Sequence, residues 1–158
     1  MRTATPKRVI AAARTWLGTP YHDQASLKGV GCDCLGLARG VWREVVGNEP
    51  FTIPPYSRDW GETGPREVLL EGARGAMIEI APEHAAPGAL LLFRMAPRAI
   101  AKHVGILTGT DSFLHAYERL GVIEQPLTLP WRRRIAFAFL FPRPALVLRK
   151  KARRKTRF

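Results

Sequence analysis

The amino-acid sequence predicts an α+β domain, in which helices pack on one antiparallel sheet. Before residue 48, apolar residues recur with the three-and-four spacing of buried helix faces. Between residues 89 and 141, the pattern changes to short strand-like segments separated by turn residues. Helices followed by strands are typical of α+β folds. A chain of 158 residues, 46% of them hydrophobic, is long enough for one domain with its own core.

The first helix is predicted to begin at Pro6, because Thr5 is a good N-cap residue and proline suits the first helical position. It is expected to end at Gly18, two residues before Pro20. Its buried stripe is expected to comprise Val9, Ala12, Ala13, Trp16 and Leu17. Residues 21–30 are mostly polar and predict a loop that leads into the second helix.

The second helix is predicted over residues 34–46, with Asp33 as its N-cap and Gly47 as its stop signal. Its apolar face comprises Leu37, Ala38, Val41, Trp42 and Val45. Cys34 then lies in the first turn, where free backbone N–H groups and the helix dipole favour a thiolate. The sequence therefore predicts a nucleophilic sulfur with a lowered pKa. The competing interpretation of a single cysteine is a small buried hydrophobic side chain.

The remaining elements follow from local patterns. Residues 49–60 hold three prolines, together with Tyr56 and Trp60, which either line a substrate cleft or pack against the domain. A short helix is expected at 65–73 and an edge strand at 77–80. Further strands are expected at 89–94, 103–107, 112–116, 121–125 and 135–141. The sheet is therefore predicted to have five to six antiparallel strands.

Two histidines, His103 and His115, fall on neighbouring predicted strands that are joined by a short turn. If Val104 pairs with Leu114, one face of this hairpin is apolar and both histidines lie opposite each other on the other face. A slip of one residue would separate the imidazoles and disrupt the apolar face. The hydrophobic pattern therefore predicts that the two rings meet.

A thiol and two adjacent imidazoles can supply a nucleophile, a base and an orienting group. In this hypothesis Cys34 attacks a carbonyl, His103 exchanges the proton and His115 orients the His103 ring. The backbone N–H of Cys34 can stabilise the oxyanion. The competing interpretation is a structural zinc site made by Cys32, Cys34, His103 and His115. Only one residue separates the two cysteines, which is shorter than the usual spacing of zinc knuckles, so catalysis is favoured.

Five sequence blocks occur in order along nearly the whole body of the chain: GTPY at 18–21, GCDCLGL at 31–37, PGALLLF at 87–93, HVGI at 103–106 and FLHA at 113–116. Together they resemble the NlpC-type cell-wall peptidases, which are bacterial relatives of papain. The segments KGVGCDC at 28–34 and PPYSRDW at 54–60 look most like the branch found in phage tails and gene transfer agents.

The resemblance implies a papain-like fold and an endopeptidase without a cofactor. This enzyme would cleave peptidoglycan stem peptides, usually between D-γ-glutamate and a diamino acid. It implies that Cys34 is the nucleophile, His103 the base and His115 the third polar residue. It also implies that Tyr21 places a hydroxyl near the oxyanion. Asp33 is expected to order the loop and to bind the substrate amine.

One position departs from the family pattern. Many relatives carry a serine that helps to bind substrate directly after the catalytic cysteine, whereas this chain has Leu35. The resemblance also makes Cys32 a bystander. A catalytically silent structural component of a tail tip is a further alternative, although the complete Cys/His/His set argues against it.

Charge divides the chain into a peptidase domain at 1–142 and a basic tail at 143–158. The net charge is +12, and seven of the 25 basic residues lie among the last ten positions. The tail is expected to bind an acidic tail-tip or baseplate protein, with DNA or an anionic cell surface as the rival partner. We see no export signal and no membrane-spanning stretch in the sequence. The protein is therefore expected to be made in the cytoplasm and carried on a phage-like particle to the cell wall, which it opens during DNA delivery.

Overall fold

A computed structural model describes residues 3–53 and 66–144 of the chain. The helices in these ranges are α1 Pro6–Arg14, α2 Cys34–Val45, α3 Val68–Ala76 and α4 Leu129–Arg134, and a 3-10 turn spans Pro82–His84. None of these helices is both long and apolar enough to cross a membrane. The predictions for Tyr56, Trp60 and residues 145–158 lie outside the described ranges.

The first helix begins where its cap predicts and ends earlier than expected. The Thr5 hydroxyl accepts a hydrogen bond from the Arg8 N–H at 3.3 Å, as an N-cap residue should. Residues 15–18 form a turn, so they no longer follow the spacing of the helix. Trp16 is still buried, but Leu17 is 45% exposed, so its predicted place in the buried stripe is wrong. The third helix, α3, begins three residues later than predicted.

The predicted α+β architecture is confirmed. A small hairpin, β1 Ser26–Leu27 with β2 Gly31–Cys32, lies mostly within the segment that was predicted to be a loop. The main sheet comprises β3 Ile78–Ile80, β4 Leu90–Arg94, β5 Ala101–Gly109, β6 Ser112–Tyr117, β7 Gly121–Pro126 and β8 Ile135–Leu140. Its six strands are antiparallel and lie in the order β3-β8-β4-β5-β6-β7.

The sheet separates two cores, because alternate side chains of a strand point to opposite faces. On one face, Val104, Ile106 and Leu114 pack in a cluster that includes Leu37 and Val41 of α2. The cluster on the other face comprises Leu91, Phe93, Leu107, Phe113, Leu127, Trp131 and Ala138. The short helix α4, which the sequence did not predict, brings Trp131 to this second face.

The pairing of β5 with β6 differs from the prediction by two residues. Ile106, and not Val104, lies opposite Leu114. A shift of two residues keeps every side chain on its predicted face, since the side-chain period of a strand is two. The apolar face is therefore the predicted one. His103 and His115 share the other face as diagonal neighbours and are not directly opposed.

The loop before the cysteine is attached to the free edge of β7. The Gly18 N–H donates to the Val122 carbonyl at 3.0 Å, and the Val122 N–H donates to the Thr19 carbonyl at 2.9 Å. Gly121 sits at this junction with a φ of +75°, and a Cβ on it would lie 2.5 Å from the Thr19 oxygen. Both the conformation and the close approach therefore require glycine.

Gly121→Ala should lower the free energy of unfolding by about 2 kcal/mol, because it adds both a clash and left-handed strain. Gly75→Ala is the matched control, since Gly75 lies in α3 with no atom within 4 Å of the added Cβ. That change should raise the free energy of unfolding by up to about 1 kcal/mol. Urea titration of both variants measures the two effects, and equal stabilities would contradict the assigned role of Gly121.

Candidate active site

The start of α2 is fixed by the Asp33 carboxylate. One of its oxygens accepts from the Gly36 N–H at 2.7 Å, which confirms Asp33 as the N-cap. The other oxygen accepts from the Gln24 N–H, also at 2.7 Å. Asp33 is only 4% exposed. A single buried carboxylate therefore holds the preceding loop against the helix end that carries Cys34.

Gly36 lets that loop approach the helix. A Cβ at this position would lie 1.8 Å from the Ala25 carbonyl oxygen, closer than any backbone atom can tolerate. The Ser26 hydroxyl donates to the Gly36 carbonyl at 2.6 Å. The glycine in the Asp-Cys-Leu-Gly sequence thus has a packing reason that is separate from catalysis.

The Cys34 sulfur lies beside the backbone of β5, between the residues that flank His103. Leu107 exchanges backbone hydrogen bonds with residues 88 and 89, just before β4. The backbone groups of residues 102 and 104 therefore face the opposite side, toward β6. The Cys34 thiol donates weakly to the Lys102 carbonyl at 3.9 Å, and the Val104 N–H is placed so that it lowers the pKa of the thiol. The regular pairing of β5 with β6 stops at Ile106, so the sulfur lies where the two strands separate.

The pKa of Cys34 is raised to about 12, contrary to the prediction of a lowered value. Burial is the main cause, and the Asp33 carboxylate adds to it. The backbone N–H groups of Val104, Leu35 and Cys34 act in the opposite direction but do not balance the loss of solvent. The cysteine at the helix terminus is therefore a neutral thiol in the resting structure.

The two histidines meet as predicted. Nε2 of His103 and Nδ1 of His115 are 2.8 Å apart, and the ring planes are nearly perpendicular at 78°. Nε2 of His115 is in turn 2.8 Å from Oε1 of Gln125. Burial, assisted by the charge that His115 would carry when protonated and by the charge of Arg134, lowers the pKa of His103 to about 3. Burial lowers the pKa of His115 to about 4, against the raising effect of the Gln125 hydrogen bond.

Aromatic rings enclose the imidazole pair. The Trp131 ring centroid lies 5.9 Å from that of His103 and 5.1 Å from that of His115. The ring centroids of Phe113 and His115 are 4.4 Å apart, and those of Phe93 and His103 are 5.8 Å apart. His115 has no exposed surface. Both imidazoles are therefore neutral, and each carries a single ring proton.

Tyr21 lies near the sulfur through the backbone of its loop. It forms a parallel bridge with Cys32, two residues before Cys34. Burial is the main cause that raises the pKa of Tyr21, followed by the charge that Cys34 would carry as a thiolate and by the negative charge of Asp33. Its hydroxyl thus stays protonated and can donate a hydrogen bond. Leu35, on the other side of the nucleophile, lines an apolar cavity of about 240 Å³ between α2 and α3.

The predicted residues come together in part. His103 contacts His115, and Cys34 contacts the backbone next to His103. Among the described residues, however, the Cys34 sulfur makes no hydrogen bond to either imidazole. Cys32 is fully buried in the core on the α2 face. Within residues 3–53 and 66–144, no three His, Cys, Asp or Glu side chains are grouped so that they could hold a metal ion, so the zinc hypothesis has no geometric support.

Sequence reasoning missed two residues of the site, Gln125 and Trp131. Gln125 lies on β7 opposite Phe113, which places it diagonally to His115 on the same face. Side chains alternate between the two faces of a strand, so the predicted strands at 112–116 and 121–125 could have placed Gln125 on the face of His115. Trp131 follows Thr128 and Pro130, which are typical of a helix start and could have indicated α4.

The sequence of this chain matches a known family over most of its length. Residues 18–137 match the NlpC/P60 family. The chain belongs to that family. It is 30% identical over 128 residues to the murein DD-endopeptidase/murein LD-carboxypeptidase MepS of Escherichia coli K12, covering 80% of this chain and 58% of that protein. The chain thus spans less than two thirds of the length of its curated relative. The prediction of an NlpC-type domain is confirmed at the level of the family.

Solved structures of NlpC/P60 domains share the fold. An NlpC/P60 family protein from Bacillus cereus superimposes with a TM-score of 0.62 at 23% identity, covering 86% of this chain and 40% of that chain. The NlpC/P60 domain of the peptidoglycan hydrolase SagA gives a TM-score of 0.61 at 22% identity, covering 85% of this chain and 97% of that chain. The predicted papain-like NlpC fold is therefore confirmed.

The buried imidazoles should make the protein less stable in mild acid. Their pKa values are lowered on folding, so the unfolded chain binds more protons between about pH 4 and pH 6.5 and stability falls as the pH falls. Between pH 6.5 and pH 5 the free energy of unfolding should decrease by about 3 kcal/mol for the two histidines together. Urea titrations across this range measure the slope.

The double variant His103→Asn with His115→Asn is the control for this measurement, and it should lose most of the slope. If the wild-type protein is equally stable at pH 6.5 and pH 5, the histidines are not held neutral by the fold.

Proposed function

We propose that this chain is a cysteine endopeptidase that cleaves peptidoglycan stem peptides, with Cys34 as nucleophile, His103 as base and His115 as orienting residue. The observation that carries the proposal is the hydrogen-bonded imidazole pair next to a sulfur at a helix N-terminus. Membership of the NlpC/P60 family and the names of the E. coli and SagA relatives support peptidoglycan as the substrate.

The reaction begins from a neutral thiol and a neutral imidazole. The Cys34 side chain turns from the Lys102 carbonyl toward the His103 ring, a movement typical of catalytic groups that align only with substrate bound. Sγ attacks the carbonyl carbon while Nδ1 of His103 takes the thiol proton. His115 accepts a hydrogen bond from the new imidazolium. The Cys34 N–H and the Tyr21 hydroxyl donate to the oxyanion.

The intermediate then collapses to products. The C–N bond breaks, His103 gives its proton to the leaving amine, and the acyl group remains on Sγ as a thioester. His103 next removes a proton from a water molecule that attacks the thioester carbon. The C–S bond breaks, and the sulfur regains the proton from His103. One water is consumed, and one carboxylate and one amine are released.

Two neighbouring side chains limit what binds beside the nucleophile. Both oxygens of Asp33 accept backbone hydrogen bonds, which favours its loop-ordering role over binding of a substrate amine. Leu35 faces an apolar cavity and offers no hydroxyl to the substrate. The bond we propose is the one between D-γ-glutamate and the diamino acid, because the motifs resemble peptidases of that bond.

Replacing Cys34 with Ala should abolish hydrolysis, with a loss of at least about 1000-fold, because the nucleophile is removed. Cys32→Ala is the matched control. It removes the other sulfur, which the mechanism does not use, and should keep activity within about threefold. Release of free amines from purified peptidoglycan is the measurement, with circular dichroism to verify folding. An active Cys34→Ala protein would refute the mechanism, and an inactive wild type would favour a structural component.

The same assay on defined muropeptides assigns the bond. Mass spectrometry of the products should show cleavage after D-γ-glutamate in an uncrosslinked stem peptide. Cleavage of a D,D-crosslink alone would contradict this assignment and match the activity in the name of the E. coli relative.

We also propose that the chain is made in the cytoplasm and reaches the cell wall on a phage-like particle, where it opens the wall for DNA delivery. The segment PPYSRDW at 54–60 and the basic C-terminal sequence support this route. The last ten residues carry seven positive charges and no acidic side chain, a composition suited to an acidic protein surface on a tail tip or baseplate.

Removal of residues 145–158 should detach the enzyme from the particle without loss of hydrolysis, because all the core residues that the structure describes lie before them. The measurement is the fraction of protein that co-sediments with purified particles at low and high salt. Retention of the truncated protein would refute this docking role. Selective loss of binding to DNA or to whole cells would instead favour those anionic partners.

A further inference from the structure

We propose that Gln125 is a positioning residue that sets the tautomer of both histidines and so leaves Nδ1 of His103 free to act as the base. The proposal rests on the proposed function, because it explains how the base is prepared for the thiol. Gln125 touches neither the sulfur nor the substrate carbonyl. It acts on His103 through His115.

The three side chains form one hydrogen-bonded row. Oε1 of Gln125 lies 2.8 Å from Nε2 of His115, and Nδ1 of His115 lies 2.8 Å from Nε2 of His103. The pairing of β6 with β7 fixes the first contact, since Ile123 is opposite His115 and Gln125 is two residues further along the same face. The row therefore follows from backbone register and does not depend on a mobile loop.

The direction of each hydrogen bond follows from the chemistry of the first acceptor. A carbonyl oxygen cannot donate, so Nε2 of His115 must carry its proton. A neutral imidazole has one N–H, so Nδ1 of His115 is then an acceptor. It receives the proton on Nε2 of His103, which leaves Nδ1 of His103 without a proton. That nitrogen is the one that can take the proton of the thiol.

The opposite orientation of the Gln125 amide would block the reaction. An NH₂ group facing His115 would donate to Nε2, move the His115 proton to Nδ1 and push the His103 proton to its own Nδ1. His103 could then accept nothing from Cys34. Choosing between two neutral tautomers is therefore the function that the amide oxygen performs.

Because His115 is enclosed by other side chains, its tautomer is set by the hydrogen bond to Gln125. His115 has no exposed surface, so bulk water cannot replace the amide. The Trp131 ring packs edge to face against the His115 ring, with an angle of 81° between the two planes. The Phe113 ring centroid lies 4.4 Å from that of His115. Among the described residues, the titratable groups that contact or act on the pair are Tyr117 on β6 and Arg134 on α4. None of the described contacts of His115 supplies a second acceptor for Nε2.

The neutral charge of glutamine also matters. A carboxylate in its place would stabilise a positive His115 and hold a proton in the pair. Gln125→Glu keeps the size and the acceptor oxygen, so it isolates charge from geometry. Gln125→Met keeps the length and removes the acceptor. Glu124→Gln is the matched control, because Glu124 lies on the same strand and its carboxylate pairs with Arg14 on the other face.

Nitrogen NMR of histidine-labelled protein at pH 7.5 tests the tautomers directly. In the wild type and in Glu124→Gln, both His103 and His115 should carry the proton on Nε2. In Gln125→Met, the signals should show a mixture of tautomers, and kcat should fall about 10- to 100-fold with KM within twofold. In Gln125→Glu, the acidic limb of the kcat profile should move upward by at least about one pH unit.

A wild-type protein with the proton on Nδ1 of either histidine would overturn the proposal. So would a Gln125→Met protein with wild-type tautomers and a kcat within twofold of the wild type. If Gln125→Met does not fold, an unchanged pH profile in Gln125→Glu would overturn it as well. The NMR result is independent of the proposed function, since an inactive wild type with both Nε2–H tautomers would refute the peptidase and leave the tautomer assignment intact.

Discussion

The hydrogen bond between the rings of His103 and His115 is the interaction on which the site depends, and it is a product of strand alternation. The two residues lie on neighbouring strands and on one face of the sheet, while the apolar residues between them face α2. The pairing of β5 with β6 then stops at Ile106, and the sulfur of Cys34 contacts the Lys102 carbonyl on the part of β5 beyond that pairing. One register thus places the imidazoles together, next to the stretch of β5 whose backbone the thiol contacts.

Burial decides the charge state of this site. A helix N-terminus stabilises a nearby anion by up to about 2 kcal/mol, whereas removing a charge from water costs several kcal/mol. Cys34 is close to Asp33 and only partly exposed to solvent, and desolvation exceeds the effect of the helix terminus. The same imbalance keeps both histidines neutral. The resting site holds no ion pair between thiol and imidazole, and the protons are distributed by hydrogen bonds.

Much of the fold could be read from the sequence, because the strongest local signals are also the structural determinants. The N-cap Asp33, the strands and the shared face of the histidines were all predictable from capping chemistry and a period of two. The exact pairing of β5 with β6 was not, since a shift of two residues satisfies the same hydrophobic pattern. The hairpin β1–β2 and helix α4 were missed because each is too short to show a period. No local sequence pattern marks Gln125 as a site residue. Its role follows only from the pairing of β6 with β7, in which Gln125 lies opposite Phe113.

The junction at Gly121 has a consequence for the order in which the molecule assembles. Joining residues 18–19 to residue 122 closes a chain segment of about 100 residues, so this contact is entropically expensive until the intervening sheet exists. This contact anchors the start of the loop that carries Tyr21 and leads to Cys34. A nascent or partly unfolded chain therefore has Cys34 without this ordered loop before it, and the surroundings of the thiol are complete only once residues 18–19 have joined β7.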